Sequence, residues 1–168
     1  SNEWYALHDQ LTGLPNRRAF EHRLAAAIQQ SQQNGTRTAL LMVDLNGFKL
    51  INDSLGHEVG DQLLQRIAIN LRNVIRAPVT LARLGGDEFI IIATDLPSDQ
   101  PVELIASRSL ARISHALRRS VTIAGNALAV SGSVGVAIYP DDATDEVLLR
   151  RIADQRMYEQ KRQIPLQF

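Results

Sequence analysis

The stretch Leu84-Gly85-Gly86-Asp87-Glu88-Phe89 decides how the surrounding chain folds. Two adjacent glycines can adopt backbone angles that other residues avoid, and they therefore indicate a tight turn. The segments on either side, 80–84 and 89–93, are short and apolar, which is typical of strands. We predict a β-hairpin that carries Asp87 and Glu88 at its tip. Taken alone, the two carboxylates fit a solvated turn as well as a functional site.

A second acidic strand end lies upstream, where Asp44 closes the continuous apolar run 39–43. An apolar run without alternation predicts a central strand that is covered on both faces. If this strand lies beside the hairpin, Asp44 lies near Asp87 and Glu88, and three neighbouring carboxylates repel one another. A divalent cation would neutralise them, and oxygen ligands favour Mg²⁺ or Mn²⁺ over zinc. Such a site points to phosphoryl or nucleotidyl transfer.

Turn residues and helical periodicity predict the remaining elements. Asn16 is a candidate N-cap for a helix that ends at Asn34-Gly35. A second hairpin is predicted over 121–130, and its second strand is expected to continue to Ala137. Further helices are predicted over 47–55, from about 61 to the region of Ala77-Pro78, over about 101–119, and over about 145–163. The order predicts an α+β fold in which helices flank a mostly antiparallel central sheet.

Composition restricts the classes of function. The 18 Lys and Arg residues balance the 18 Asp and Glu residues, so net charge gives no reason to expect nucleic acid or an anionic membrane surface as a partner. The absence of cysteine excludes disulfides and thiol catalysis, and it fits a reducing, cytoplasmic compartment. No apolar run approaches the roughly 18 residues that span a bilayer, so we expect a soluble piece without direct membrane contact. No P-loop motif is present, which argues against P-loop mechanisms.

Taken together, these motifs resemble the GGDEF domain family, the diguanylate cyclases that join two GTP molecules into cyclic di-GMP in bacterial signalling. The resemblance runs from Asp9 to Lys161, and the ordered series is far more specific than the Gly-Gly-Asp-Glu-Phe motif alone. The matching residues are Asp9, 11–14, 16–18, Asp44, 48–49, 51–53, 56–57, 60–61, 83–89, 133–136, 153–154, Tyr158 and Lys161. The resemblance implies a palm-like sheet, similar to those of nucleotidyl cyclases and related to the ferredoxin-like fold.

This resemblance also divides the chain. We expect residues 1–8 to be a lead-in, in which Ser1 and Asn2 are a remnant of cloning. Residues 9–163 are expected to form the GGDEF domain, and residues 164–168 a C-terminal tail.

The metal and catalytic roles follow from the resemblance, position by position. It implies that Asp44, the backbone carbonyl of Leu45 and Asp87 hold the metal cofactor, Mg²⁺ or Mn²⁺. Asp87 is also the candidate for removing the proton of the 3′-hydroxyl. Glu88 and Lys49 are the other residues to which the resemblance gives a catalytic role.

A second set of residues is implied to bind substrate. Asn52 and Asp61 match the guanine readers of the family, because an amide can bond the acceptor edge of guanine and a carboxylate can accept from its N1 and amino group. Either side chain could instead cap an adjoining helix. The implied substrate-binding set also includes Phe48, Lys49, His57, Arg83, Gly85, Gly86 and Lys161. For three of them a simpler role stays open: His57 could only order its turn, Arg83 could order the hairpin tip, and Lys161 could be solvated.

Three positions near the site carry further expectations. We expect Arg17 to pair with Asp9 rather than to contact substrate. After Lys161 the chain lacks the Gly-Arg segment of the family, so the expected phosphate-binding arginine is missing, and Arg162 is a candidate substitute. The inhibitory product site is degenerate, because its Arg-x-x-Asp motif has become 76–79 with only Arg76 retained. We therefore expect no strong feedback inhibition by cyclic di-GMP at that site.

Three hypotheses for function remain at this point. The leading one is a metal-dependent diguanylate cyclase that condenses two GTP into cyclic di-GMP and two pyrophosphates, with one GTP per domain in a transient homodimer and an upstream sensor domain in the full-length chain. The alternative is a catalytically weak GTP-binding regulatory GGDEF module that controls an attached phosphodiesterase domain. A purely structural interaction module would predict no GTP binding.

Overall fold

The computed structural model describes residues 2–76 and 78–164, and a four-stranded sheet organises this part of the chain. The strands are β1 (Arg37–Leu45), β2 (Thr80–Gly85), β3 (Glu88–Leu96), β4 (Ser120–Ile123), β5 (Asn126–Ala129) and β6 (Gly132–Tyr139). The helices are α1 (Asn2–Leu7), α2 (Arg17–Asn34), α3 (Phe48–Leu55), α4 (His57–Val74), α5 (Val102–Leu117) and α6 (Glu146–Arg162). The main sheet has the order β2-β3-β1-β6 with antiparallel neighbours, and β4 and β5 form a separate hairpin. The predicted α+β fold with a mostly antiparallel sheet is confirmed.

Strand β1 lies in the interior of the sheet because both of its faces are apolar. Leu41 and Val43 pack into the cluster that contains the buried residues of α4 and α5. Leu40 and Met42 face the other way, into the cluster that contains the buried residues of α2 and α6. Burying one such side chain fully stabilises the fold by roughly 1.5–3 kcal/mol. The two layers of helices therefore fix the position of the strand that ends in the candidate site.

The first predicted long helix begins and ends as its sequence indicates. Asn16 is the N-cap of α2, and its Oδ1 accepts a hydrogen bond of 3.0 Å from the backbone N–H of Ala19. Gly35 ends the helix in the left-handed region with φ of 65°, a conformation that glycine adopts without steric cost.

The second hairpin differs from the prediction at its end. Its second strand stops at Ala129, and β6 begins at Gly132 in the main sheet instead of continuing the hairpin. Asn46 explains the break, since its backbone N–H donates to Ser131 O (2.9 Å) and its Nδ2 donates to Ser131 Oγ (3.0 Å). Ser133 Oγ in turn donates to Asn46 Oδ1 (2.9 Å). These bonds hold the start of β6 against the end of β1.

Smaller differences concern the ends of elements. Helix α4 ends at Val74, before the predicted region of Ala77-Pro78, and Ala77 lies outside the described residues. Strand β3 extends to Leu96, beyond the predicted strand segment 89–93. The lead-in contains a short helix, α1, that was not predicted. Across the described residues, none of the helices combines the length and apolarity needed to cross a membrane.

Candidate active site

The ends of β1 and the β2–β3 turn bring the two central carboxyl groups together. Asp44 lies one residue before the end of β1, directly opposite Glu88 of β3 on one side and Ser133 of β6 on the other. The backbone N–H of Leu45 donates to the backbone carbonyl of Asp87 (3.4 Å), which joins the strand end to the turn. The expected proximity of Asp44 and Asp87 follows from this register.

The expected cluster of three carboxylates does not form. Among residues 2–76 and 78–164, no group of three Asp, Glu, His or Cys side chains is arranged to hold a metal ion. The Asp87 side chain contacts that of Asp44, and the Leu45 carbonyl joins Asp44 as a contact of the Lys161 ammonium group.

Lys161, in the last turn of α6, contacts two of these oxygens. Its Nζ lies 3.2 Å from Asp44 Oδ2 and donates to the Leu45 carbonyl at 3.3 Å. The side chain of Lys161 is 36% exposed and that of Asp44 is 18% exposed. Lys161 is therefore not simply solvated, because its ammonium group contacts two of the three groups to which the resemblance gives a metal-binding role.

The position of Lys161 depends on close packing of α6 against β6. A Cβ at Gly135 of β6 would lie 2.0 Å from the carbonyl oxygen of Ala153 and 2.3 Å from the backbone nitrogen of Met157, so only glycine allows this approach. Gln160 Oε1 also accepts a hydrogen bond from the backbone N–H of Val134 (2.5 Å). Sequence reasoning missed the role of both Gly135 and Gln160, although a glycine inside a buried apolar strand is a usual signal of close backbone approach.

The Asp44–Asp87 pair has an unusual protonation equilibrium. Burial, followed by contact with the Asp44 carboxyl, raises the pKa of Asp87 to about 7, while the Lys161 ammonium acts in the opposite direction. Asp44 Oδ1 is buried and has no hydrogen-bond donor among the described residues. A protonated Asp87 can donate to Asp44, whereas two ionised carboxylates can only repel. Asp87 therefore holds a proton close to neutral pH in the metal-free domain.

The hairpin tip is held by Arg83 rather than by Arg17. Gly85 and Gly86 have positive φ angles of 141° and 48°, as the glycine pair predicts. Arg83 Nε donates to the Gly86 carbonyl (2.9 Å), and its Nη1 forms an ion pair of 2.8 Å with Asp9 Oδ1. The expected pairing of Arg17 with Asp9 is wrong, because that carboxylate is taken by Arg83 and Arg17 is exposed at the start of α2.

Beside the strand ends, α3 and α4 present the predicted substrate residues. Asn52 lies inside α3, and its Oδ1 would be 1.8 Å from a Cβ at position 60, so Gly60 leaves the space that the amide occupies. Asp61 follows in α4 and is exposed. The N-caps of the two helices are Gly47 and Gly56, without side-chain cap bonds. The alternative that Asn52 or Asp61 caps a helix is therefore wrong.

The first backbone N–H groups of α3 have no hydrogen-bond partner within the helix. The first intrahelical bond of this helix runs from Ile51 N–H to the Gly47 carbonyl (3.1 Å). The N–H groups of Phe48 and Lys49 therefore have no partner within the helix, as is usual for a first turn. Phe48 is half-buried and Lys49 is exposed, while His57, the first residue of α4, is exposed.

Two peripheral predictions are placed as follows. Arg76 is exposed and lines, with Val79 and Arg112, a largely apolar cavity of about 260 Å³ between α4 and α5. No carboxylate lines that cavity within the described residues, and the degenerate product site stays a prediction. Arg162 ends α6 and is exposed, and residues 165–168 of the predicted tail lie outside the described chain.

A palm-like antiparallel sheet with paired carboxyls at its strand ends is the arrangement that the sequence motifs imply. The family model described as "Diguanylate cyclase, GGDEF domain" matches residues 6–165. The chain belongs to the GGDEF domain family. The finer boundaries at 8/9 and 163/164 stay predictions.

Curated relatives are larger proteins. The bifunctional diguanylate cyclase/cyclic di-GMP phosphodiesterase MucR of Pseudomonas aeruginosa is 42% identical over 94% of this chain, which spans 22% of MucR. The diguanylate cyclase TpbB of P. aeruginosa is 39% identical over 94% of this chain, which spans 36% of TpbB. This chain therefore spans between about a fifth and about a third of the length of these two relatives.

Solved structures agree with the fold. A sensory box/GGDEF family protein from Caulobacter crescentus superposes with a TM-score of 0.86 at 38% identity, covering 93% of this chain and 98% of that one. The isolated GGDEF domain of TpbB from P. aeruginosa also has a TM-score of 0.86, at 37% identity, covering 94% of this chain and 90% of that one.

Proposed function

We propose that this domain is a diguanylate cyclase that condenses two GTP molecules into cyclic di-GMP and releases two pyrophosphates. The observation that carries the proposal is the meeting of Asp44, Asp87 and the Leu45 carbonyl at adjacent strand ends, in a chain of this family. Relatives named as diguanylate cyclases support the same activity. The activity of the whole protein, its substrates and its partners are part of this proposal.

The residues present fit a hard divalent cation. All the candidate ligand atoms are oxygens, which Mg²⁺ and Mn²⁺ prefer. Asp44 Oδ1 is buried and accepts no hydrogen bond within the described residues. Asp44 Oδ2 already contacts a cationic group, the Lys161 ammonium. Asp44, Asp87 and the Leu45 carbonyl would hold Mg²⁺ or Mn²⁺. When bound, such an ion supplies charge stabilisation to the phosphates at the reacting centre.

The side chains around this point would bind and orient GTP. The triphosphate would accept hydrogen bonds from the backbone N–H groups of Phe48 and Lys49 at the start of α3. The ammonium groups of Lys49 and Lys161 would supply positive charge. The Asn52 amide, which packs against Gly60, would bond the acceptor edge of guanine. The Asp61 carboxylate would accept from the N1–H and amino groups of guanine. Adenine lacks this pattern of donors and acceptors and would leave these side chains unpaired. His57 and the Gly85–Gly86 turn would contact the ribose or base of the nucleotide.

Asp87 would accept the proton of the attacking 3′-hydroxyl. Its place beside Asp44 at the hairpin tip makes this carboxyl the candidate general base. The hydroxyl oxygen of one GTP attacks the α-phosphate of the other, the bond to pyrophosphate breaks, and a second round closes the ring. Glu88, beside Asp87, would support contacts to the partner nucleotide.

A single domain offers one nucleotide site, so we propose that two copies face each other transiently during the reaction. Full-length relatives such as MucR are much longer than this chain, and an upstream sensor domain that controls pairing is part of the proposal. Arg76 without an acidic partner makes strong product inhibition at that position unexpected. Saturable inhibition by cyclic di-GMP that is lost in Arg76→Ala would contradict this.

The second candidate function is a GTP-binding regulatory module with weak turnover. It is favoured by the chain after Lys161, where Arg162 is exposed and the phosphate-binding arginine of the family is missing. Relatives named as cyclic di-GMP phosphodiesterases, such as PdeR of Escherichia coli at 37% identity, are consistent with such a module in a longer chain.

One experiment separates these functions. The domain, dimerised through an added coiled coil, is incubated with GTP and Mg²⁺, and the products are separated by chromatography, with Asp87→Ala as the matched control. Cyclic di-GMP from the wild type alone supports the cyclase. GTP binding without product in either protein supports the regulatory module, and an absence of GTP binding overturns both.

A further inference from the structure

The ammonium group of Lys161 occupies the oxygen cluster that the proposed function assigns to a metal ion. We propose that Lys161 is a built-in competitor for this cation site, which weakens metal binding until a nucleoside triphosphate draws the lysine away. The inference rests on the proposed function of the same site, and it adds an order-dependent coupling between metal and nucleotide. It concerns the nucleotide-free protein, where no phosphate is present for Lys161 to contact.

The competition follows from shared atoms. Lys161 Nζ contacts Asp44 Oδ2 at 3.2 Å and the Leu45 carbonyl at 3.3 Å. A divalent cation that used the same two oxygens would lie within a few ångströms of a positive ammonium group, and the two cations would repel each other. Lys161 must therefore leave these oxygens before the cation can use them, and the cost of its departure lowers the apparent metal affinity.

Nucleotide binding would remove this cost. The Lys161 side chain is 36% exposed and ends a flexible four-carbon stem, so it can turn toward solvent without movement of the helix. The backbone of α6 is fixed by the contact at Gly135 and by the Gln160 bond to β6, which restricts the change to the side chain. A triphosphate offers the ammonium several anionic oxygens and leaves Asp44 free. Metal and nucleotide then strengthen each other's binding by the same factor.

The test measures metal binding directly, without turnover. Free Mn²⁺ is followed by electron paramagnetic resonance during titration of the nucleotide-free domain, for the wild type and for Lys161→Met. Removing the competing ion pair should tighten nucleotide-free Mn²⁺ binding by roughly two- to fivefold, the range that corresponds to a partly exposed pair of up to about 1 kcal/mol. Arg151→Met is the matched control, because it removes one positive charge from an exposed position of the same helix and should leave the affinity unchanged.

A second measurement needs no substitution at position 161. The chain contains only two lysines, Lys49 and Lys161, so reductive ¹³C-methylation yields two lysine signals, which Lys49→Arg assigns. The Lys161 signal should move when Mg²⁺ and α,β-methylene GTP, which cannot react, are added together, and should move less with Mg²⁺ alone. Lys161→Gln provides a second variant if Lys161→Met does not fold.

The outcomes separate the two proposals. Binding of Mn²⁺ and α,β-methylene GTP by the wild type would leave the proposed function standing. If, in the absence of nucleotide, both Lys161 variants bind Mn²⁺ no more tightly than the wild type does, the competition is overturned. If the wild type binds neither Mn²⁺ nor the nucleotide, the proposed function itself fails. Tighter Mn²⁺ binding in the Lys161 variants and in Arg151→Met alike would assign the effect to general charge and would also overturn the inference.

Discussion

Replacing Asp87 with asparagine should stabilise the metal-free domain above neutral pH. Burial and the Asp44 carboxyl raise the pKa of Asp87 from 3.8 in the unfolded chain to about 7. Between these values the folded state binds more protons than the unfolded state, so the free energy of unfolding falls as pH rises. Asparagine stays neutral at every pH, so the Asp87→Asn variant does not lose stability through ionisation at this position. The gain should therefore be complete above pH 7, shrink as pH falls, and vanish near pH 4.

The shift itself sets an upper limit to the gain. Three pKa units correspond to about 4 kcal/mol, but Asp87 is only about half-buried and solvent screens its interactions, so we expect about 1–2 kcal/mol at pH 8. For a domain of this size that is an increase in Tm of roughly 2–8 °C. Thermal unfolding at pH 8 and pH 4.5, with EDTA present to remove metal, measures it.

The matched control is Asp99→Asn, an exposed carboxylate in the loop before α5, which should change Tm little at either pH. The reasoning is refuted if Asp87→Asn is no more stable than the wild type at pH 8. It is also refuted if its gain is the same at both pH values, because that gain would then not depend on proton binding.

Three further substitutions test contacts around the site. Gly60→Ala should displace the Asn52 amide and weaken GTP binding, measured by calorimetry, by roughly tenfold. Its free energy of unfolding should stay within about 1 kcal/mol of the wild type, because alanine favours helix. Unchanged GTP affinity would contradict the placement of the amide. Gly135→Ala should lower the free energy of unfolding by about 2–3 kcal/mol or more, since its Cβ would collide with the backbone of α6; a normal Tm would show that the helix is not so closely packed. Arg156, which donates two hydrogen bonds to Asp142, should show a coupling of about 0.5–1 kcal/mol in a double-mutant cycle with Arg156→Met and Asp142→Asn. Burial alone would raise the pKa of Asp142, but hydrogen bonds from Arg156 and from a backbone N–H lower it below its ordinary value. The coupling should therefore disappear only as pH falls below the ordinary pKa range of an aspartate.

Local patterns were sufficient to predict most of the fold. The apolar run before Asp44 and the glycine pair before Asp87 are features of single elements, and two such elements in an antiparallel sheet bring their ends together. The caps at Asn16 and Gly35 are equally local. The break before Gly132 was not predicted, because it depends on hydrogen bonds to Asn46, more than 80 residues away.

The arrangement of charges around the site was less predictable for the same reason. Lys161 reaches Asp44 only because α6 docks on β6, and the glycine that permits this docking does not reveal its partner helix in the sequence. Asp9 was assigned to nearby Arg17, but tertiary structure places Arg83 beside it. A charge has several oppositely charged residues available, and their sequence separation does not decide which one it meets.

The contacts of Arg83 connect the beginning of the described chain mechanically to the hairpin tip. Its guanidinium bonds Asp9 and the Gly86 carbonyl, and its backbone N–H donates to the Pro15 carbonyl (3.0 Å), so the turn between α1 and α2 is tied to the edge strand β2. A pull or twist applied to α1 is therefore transmitted over a short, stiff path to the peptide that precedes Asp87.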